Sequence, residues 1–209
     1  MNGAVSRWRT VLMTVIVAYG VLILGVVAFI YLGAYDIGSD ASHWGLTYQI
    51  FETARVRSIK AHAAGITPPF GLEDEAKILM GADHFADHCA VCHGAPGVAK
   101  GDIAKGLYPQ PPDLAVTSKH YTDAELFWIV KYGIKMTGMP SWGDHSNDEL
   151  WATVAFVRKL PGMTEQDYAK LLAASRAQGG HHHETHEAQP GTGQPAGRAD
   201  HDQPADHRH

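Results

Sequence analysis

Cys89-Ala90-Val91-Cys92-His93 is the stretch that decides how this chain is interpreted. Two thiols three positions apart, followed at once by a histidine, form the pattern through which haem is attached to a polypeptide. The thiols can add to the two vinyl groups at one porphyrin edge, and the adjacent imidazole then reaches the iron. The pattern predicts one covalent haem c, held by Cys89 and Cys92, with His93 as an axial iron ligand.

Two other kinds of site use closely spaced cysteines. A thioredoxin-like redox pair sits beside a βαβ pattern, which the flanking sequence lacks. A structural zinc site commonly takes four ligands from two such pairs, whereas the whole chain holds 2 cysteines. The same count excludes a disulfide framework. The residues therefore favour haem attachment.

The sequence before the motif has helical spacing. Gly81, Phe85 and Cys89 are four residues apart and share one helix face. Gly81 would let another helix approach closely, Phe85 would pack beside the haem, and Trp151 could fill the space opposite Gly81. The alternative, that Phe85 and Trp151 are ordinary core residues, is compatible with this because the haem would itself be the core.

A second axial ligand is predicted in Gly138-Met139-Pro140, where Pro140 fixes the backbone after the methionine. A thioether opposite imidazole raises the reduction potential. Met136 is an alternative ligand, and His120 and His145 could form a bis-histidine site instead.

A proline-rich run, Tyr108-Pro109-Gln110-Pro111-Pro112, follows the haem motif. A metal-bound histidine usually donates its other ring nitrogen to a carbonyl or carboxylate. The carbonyl of Pro109 or Pro111 is the candidate acceptor for His93; otherwise the run is simply a stiff loop.

Together these motifs resemble class I cytochrome c, and the runs 106–114 and 133–142 are similar to a bacterial membrane-anchored monohaem subgroup. The resemblance covers about 71–162. It implies an all-α fold around one haem, with electrons passing through an exposed porphyrin edge. Further candidates for the haem pocket are Phe85, Tyr108, Pro109 and Trp142. With both axial positions filled, we expect an electron carrier and not an enzyme.

The N-terminus contains an apolar run, Thr10 to Tyr35, without a charged residue. About 20 apolar residues cross a bilayer as a helix. Arg7 and Arg9 precede the run and Asp36 follows it, so the N-terminus is predicted to be cytoplasmic and the haem domain periplasmic. We expect a single-pass protein of the bacterial inner membrane. The alternative is a signal peptide cleaved near Ala34.

Several helices are predicted beyond the apolar run. The spacer helix, within residues 36–70, has Ser42 as its expected N-cap, and its alternative role is to dock a membrane partner. Further helices are expected at Glu73–His88, Asp123–Tyr132, from Ser146 or Asn147 to Pro161, and at about Glu165–Ala177.

Six segments are predicted. The segments are a cytoplasmic N-terminus (1–9), a transmembrane helix (10–35), a periplasmic helical spacer (36–70), a cytochrome c domain (71–162), a short C-terminal helix (163–177) and a disordered histidine-rich tail (178–209).

The tail combines histidines with interleaved carboxylates. A secondary site for copper, nickel or zinc is one interpretation, and a solvated flexible tail is the other. The candidate ligands are His181, His182, His183 and His186.

The predicted function is single-electron transfer in a periplasmic respiratory chain, with the lipid bilayer and redox proteins as partners and the electron donor and acceptor unspecified. A net charge of -5 gives no basic surface for nucleic acid. Two alternatives remain open. One is the haem relay subunit of a membrane-bound dehydrogenase or oxidase, and the other is a metal-handling or redox-sensing protein that uses the tail.

Overall fold

A computed structural model describes residues 2–178 of the chain, and across this range it contains helices and no strand. The predicted all-α class is confirmed. The helices are α1 (Asn2–Tyr31), α2 (Gly45–Ala63), α3 (Glu75–His84), a π-helical turn (Phe85–Cys89), α4 (Ala90–His93), α5 (Asp102–Lys105), α6 (Leu114–Thr117), a 3-10 turn (Ser118–His120), α7 (Asp123–Tyr132), α8 (Asn147–Lys159) and α9 (Glu165–Ala177).

Helix α1 is the apolar helix predicted at the N-terminus. Within residues 2–178 it is the one helix long and apolar enough to cross a membrane, over Ser6–Tyr31. None of that stretch is buried against the rest of the chain. A fully exposed apolar helix fits a single-pass anchor in length and composition, and an N-terminal signal sequence has the same character.

The core is built where α3 crosses α8. At Gly81 an added Cβ would lie 1.9 Å from the carbonyl oxygen of Ala152 and 3.0 Å from Cβ of Phe156. The predicted close approach at Gly81 is confirmed, but the prediction that Trp151 lies opposite it is wrong. One residue turns a helix by about 100°, so Trp151 points elsewhere and stacks on Phe127 with ring centroids 4.2 Å apart.

The predicted starts of α7 and α8 are confirmed, because each begins with a reciprocal capping box. Thr122 and Glu125 form the first box, and Ser146 and Glu149 form the second. The bounds predicted for α9 are also confirmed.

The single helix predicted over Glu73–His88 is wrong in detail. α3 ends at His84 and a π-helical turn follows, in which the backbone N–H of Ala90 bonds to the carbonyl of Phe85. Residue spacing in the sequence does not reveal where a helix widens by one residue, and such turns are frequent at functional sites.

Helix α2 packs against the helical domain. Its Ile59 and Ala63 are buried, and the guanidinium of Arg55 donates to the hydroxyl of Tyr121 at 2.7 Å. The prediction of Ser42 as N-cap is wrong, because the helix begins at Gly45 and Ser42 lies too far upstream to cap its first turn. One face of the predicted spacer is therefore occupied within the chain itself.

Candidate functional site

The two thiols lie where the π-helical turn passes into α4. Both are free cysteines, and Cys89 packs against the hydrophobic core. Burial, together with the neighbouring Cys92, raises the pKa of the Cys89 thiol to about 12. A reactive redox cysteine needs a lowered pKa. The environment of Cys89 therefore disfavours a thioredoxin-like pair.

The imidazole of His93 is held by one backbone contact. Its Nδ1 donates to the carbonyl oxygen of Pro112 at 2.9 Å, so the neutral ring keeps its lone pair on Nε2, the nitrogen available to a metal. Burial lowers the pKa of His93, which favours this neutral form. The two predicted acceptors are wrong: Pro109 is exposed, and the carbonyl of Pro111 accepts from Lys100.

The methionine loop runs from Gly133 to Gly143, between α7 and α8. Met139 is half-buried and packs against the core, whereas Met136 is 71% exposed. The backbone N–H of Met139 donates to the Thr137 hydroxyl at 3.1 Å, and its carbonyl accepts from the N–H of Ile134 at 3.2 Å. The loop thus turns Met139 inward and Met136 outward, which favours Met139 as the ligand.

One chain segment contacts both candidate ligand regions. A Cβ at Gly138 would lie 2.5 Å from Cδ1 of Leu107, so the loop beside Met139 rests directly on Leu107. Five residues later, Pro112 of the same segment accepts the His93 hydrogen bond. The segment 107–112 therefore links the loop that carries Met139 to the imidazole of His93.

Two of the remaining pocket candidates have well-defined neighbours. Phe85 is fully buried, with its ring centroid 5.0 Å from that of Phe156. The Tyr108 hydroxyl accepts from the backbone N–H of His43 at 3.2 Å, which joins the haem-motif side of the domain to the segment before α2. Phe85 is thus a core residue, and Tyr108 has a contact that the sequence did not indicate.

The ring of Trp142 lies among histidines. Its centroid is 4.9 Å from that of His88 and 5.5 Å from that of His145. His145 thus belongs to a cluster with His84 and His88, while His120 is exposed. Sequence reasoning missed His84 and His88, although their four-residue spacing on a predicted helix could have revealed them.

The donor set fits a covalent haem. Two free thiols at the right spacing, a histidine whose Nδ1 is hydrogen-bonded to a backbone carbonyl, and an inward-facing methionine are the groups that such a cofactor takes. The tail histidines predicted to bind a secondary metal lie outside the described residues; they are His181, His182, His183 and His186.

Among known proteins, the family described as cytochrome C oxidase, cbb3-type, subunit III matches residues 76–157. The matched span includes both thiols, His93 and the methionine loop, and it extends from α3 into α8. It covers less than half of the 209-residue chain.

Proposed function

We propose that the chain is a membrane-anchored monohaem carrier of single electrons, because the family match over residues 76–157 supports a class I-like c-type cytochrome domain there. Such a domain implies electron transfer by haem. The observation that carries the finer proposal is the hydrogen bond from His93 to Pro112, because it fixes the orientation of the imidazole directly beside the two attachment thiols.

When bound, the haem supplies a reversible one-electron change at iron. In this proposal Cys89 and Cys92 hold the porphyrin, while Pro112 orients the imidazole of His93. Met139, which its loop turns toward the core, would supply the second iron ligand. Two protein ligands leave no coordination site for a substrate, and this favours a carrier over an enzyme.

The anchoring part of the proposal rests on α1. Its apolar surface is fully exposed and would be stabilised by lipid. At the end of this helix the ring of Trp44 lies 5.8 Å from Phe29 and 5.1 Å from Tyr35. Aromatic side chains of this kind concentrate at membrane interfaces. Arg7 and Arg9 near the start of α1 and Asp36 after its end support the proposal that the haem domain lies in the periplasm.

A relay subunit of a larger oxidase is the second candidate function. The description of the matching family names an oxidase subunit, and the early part of α2 exposes apolar side chains that its contact with α7 does not use. These are Leu46, Tyr48, Ile50 and Phe51. A stoichiometric partner that co-purifies in mild detergent would favour this candidate, and a monodisperse single chain would favour the carrier.

The first test is a reduced-minus-oxidised spectrum of the full-length protein, expressed in cells that mature c-type cytochromes. The same sample is run on a denaturing gel stained for covalent haem. We expect a c-type α-band and a stained band at about the 22.7 kDa of the whole chain. Replacing both Cys89 and Cys92 with alanine should abolish the stain, whereas His120→Ala, at an exposed position, should retain it. A wild-type chain without covalent haem would contradict the proposal.

A further inference from the structure

Three histidines outside the candidate haem ligands converge on one point. His84 ends α3, His88 lies in the π-helical turn, and His145 lies in the loop before α8. One ring nitrogen from each lies within 4.8 Å of the others, and all three side chains are half-buried. Three imidazoles from separate parts of the fold therefore face a common centre.

The nitrogen of the neutral His84 ring that carries the proton follows from its hydrogen bond with Thr153, which is fully buried. The single hydroxyl proton of Thr153 is donated to the carbonyl oxygen of Glu149 at 2.9 Å. The hydroxyl oxygen therefore accepts from Nδ1–H of His84, also at 2.9 Å. In the neutral ring this hydrogen bond leaves the lone pair of His84 on Nε2, which accepts from Nδ1–H of His145. A bound ion would replace that proton, and His145 would then carry its proton on Nε2. Histidine ligands of metals are commonly oriented by such an outer contact.

The spacing of the nitrogens suits a metal ion. A tetrahedral ion with metal–nitrogen bonds of about 2.0–2.1 Å separates its ligand atoms by roughly 3.3–3.4 Å. Nε2 of His84 and Nδ1 of His145 lie 3.3 Å apart. The ligand nitrogen of His88 lies within 4.8 Å of the other two, and a side-chain rotation can bring it closer to complete the set.

The charge around the cluster also favours a cation. The carboxylate of Glu149 lies close enough to His84 and His145 for both to help lower its pKa, although its hydrogen bonds with Ser146 contribute more. On another side the indole of Trp142 packs against the rings. The histidines thus have both a carboxylate and an indole ring as neighbours.

We propose that His84, His88 and His145 bind one divalent late transition-metal ion, zinc or copper, with solvent completing its coordination. Imidazole is a preferred ligand of both ions. The site is distinct from the haem iron because it uses neither His93 nor Met139. One of its three ligands, His88, immediately precedes the attachment cysteine Cys89 in the chain.

Zinc is the better probe because it is redox-inert and leaves the haem oxidation state unchanged. Full-length holoprotein in detergent is titrated with Zn²⁺ against a chromophoric chelator. The background carries alanine at the tail histidines that could also bind zinc. We expect one zinc per chain, with at least tenfold weaker binding in His88→Ala and in His145→Ala. His120→Ala, which removes one exposed histidine elsewhere, should bind as the parent does.

Thr153 provides an independent test of the geometry. Thr153→Val removes the hydroxyl but keeps the shape, and loss of an outer hydrogen bond to a metal-bound histidine weakens binding about 10–100-fold. Thr153→Ser restores the hydroxyl and should restore the affinity. The haem spectrum and melting temperature of every variant report the fold independently. Equal zinc affinity in the parent, His145→Ala and Thr153→Val would overturn the proposal, and so would the absence of a site in the parent.

Discussion

Gly133→Ala is the substitution expected to separate Met139 from its place in the fold. Gly133 has φ +64° and ψ -170°, a backbone region that residues other than glycine essentially never adopt. An added Cβ would lie 2.6 Å from the carbonyl carbon and oxygen of Pro140 and 2.7 Å from the carbonyl oxygen of Met139. The substitution thus strains the hinge of the loop and also collides with the segment that carries the methionine.

The magnitudes decide how the protein responds. Keeping the loop in place would cost about 1–3 kcal/mol in backbone strain and a further 1–3 kcal/mol or so in overpacking. Opening the loop loses the hydrogen bonds from Ile134 to Met139 and from Met139 to Thr137, each worth about 1 kcal/mol. Opening is the cheaper response. We expect the free energy of unfolding to fall by about 2–3 kcal/mol, which lowers the melting temperature by roughly 10 °C.

The assay records three quantities on oxidised holoprotein: the weak far-red band of a methionine-ligated haem, the midpoint potential and the melting temperature. Gly133→Ala should weaken the band and lower the potential, because a thioether ligand raises it. Gly162→Ala is the strain-only control, since Gly162 has φ +81° and nothing within 4 Å of an added Cβ. Gly106→Ala is the neutral control, with its nearest atom 3.7 Å away.

Gly162→Ala should cost about 1–2 kcal/mol and leave the spectrum and the potential unchanged. A far-red band in Gly133→Ala equal to that of Gly162→Ala would refute the reasoning, because Met139 would then not depend on this hinge or would not be the ligand.

Three further substitutions probe the fold around the site, each by chemical denaturation. Gly81→Ala should destabilise the protein by about 3 kcal/mol through overpacking against Ala152, and a cost no greater than that of Gly106→Ala would contradict the close crossing of α3 and α8. Arg158→Ala removes hydrogen bonds to the Asp123 carboxylate and to the carbonyls of Ser118 and Tyr121, and it should lower the free energy of unfolding by about 2 kcal/mol. The control is Lys105→Ala, which breaks an exposed ion pair and should change stability by less than about 0.5 kcal/mol. Ser146→Ala should cost about 1 kcal/mol at pH 7. Hydrogen bonds from Ser146 lower the pKa of Glu149 from its ordinary 4.5. The stabilisation that these bonds provide is therefore present above pH 4.5 and is lost as the pH falls through the lowered pKa. A difference in unfolding free energy between wild type and Ser146→Ala that stays constant down to pH 2 would contradict this prediction.

Local signals in the sequence were sufficient where the structure depends on local chemistry. Ser146 or Asn147 was predicted as the start of α8, and Thr122 as the cap of α7; the structure shows a capping box at both Thr122 and Ser146. Such starts are predictable because a cap involves residues only three positions apart. Gly81 also indicated a close helix contact, because a glycine within a helix face lacks a side chain that would keep a neighbouring helix away. The structure places Phe156, and not the predicted Trp151, against Gly81, because which α8 side chains face α3 depends on the rotation of α8 about its own axis. No local pattern in the sequence specifies that rotation.

Contacts between distant segments were out of reach. The carbonyl that holds His93 belongs to Pro112 and not to Pro109 or Pro111. Which carbonyl faces the ring depends on how the proline-rich run passes other segments, such as the loop at Gly138 that Leu107 contacts. The histidine cluster needed His145 to return beside α3, a contact across 61 positions of sequence. Its local half, His84 and His88, was visible but was read only as part of a helix.

The π-helical turn explains how one short stretch serves three different surroundings. Phe85 at its start is fully buried in the core, Cys89 at its end packs against that core, and His88 between them faces His84 and His145. The wider turn, closed by the bond from Ala90 to Phe85, adds one residue without ending the helix. The attachment thiol and the histidine cluster are therefore placed by the same backbone feature, and a change that restores a regular α-helical turn here would disturb both together.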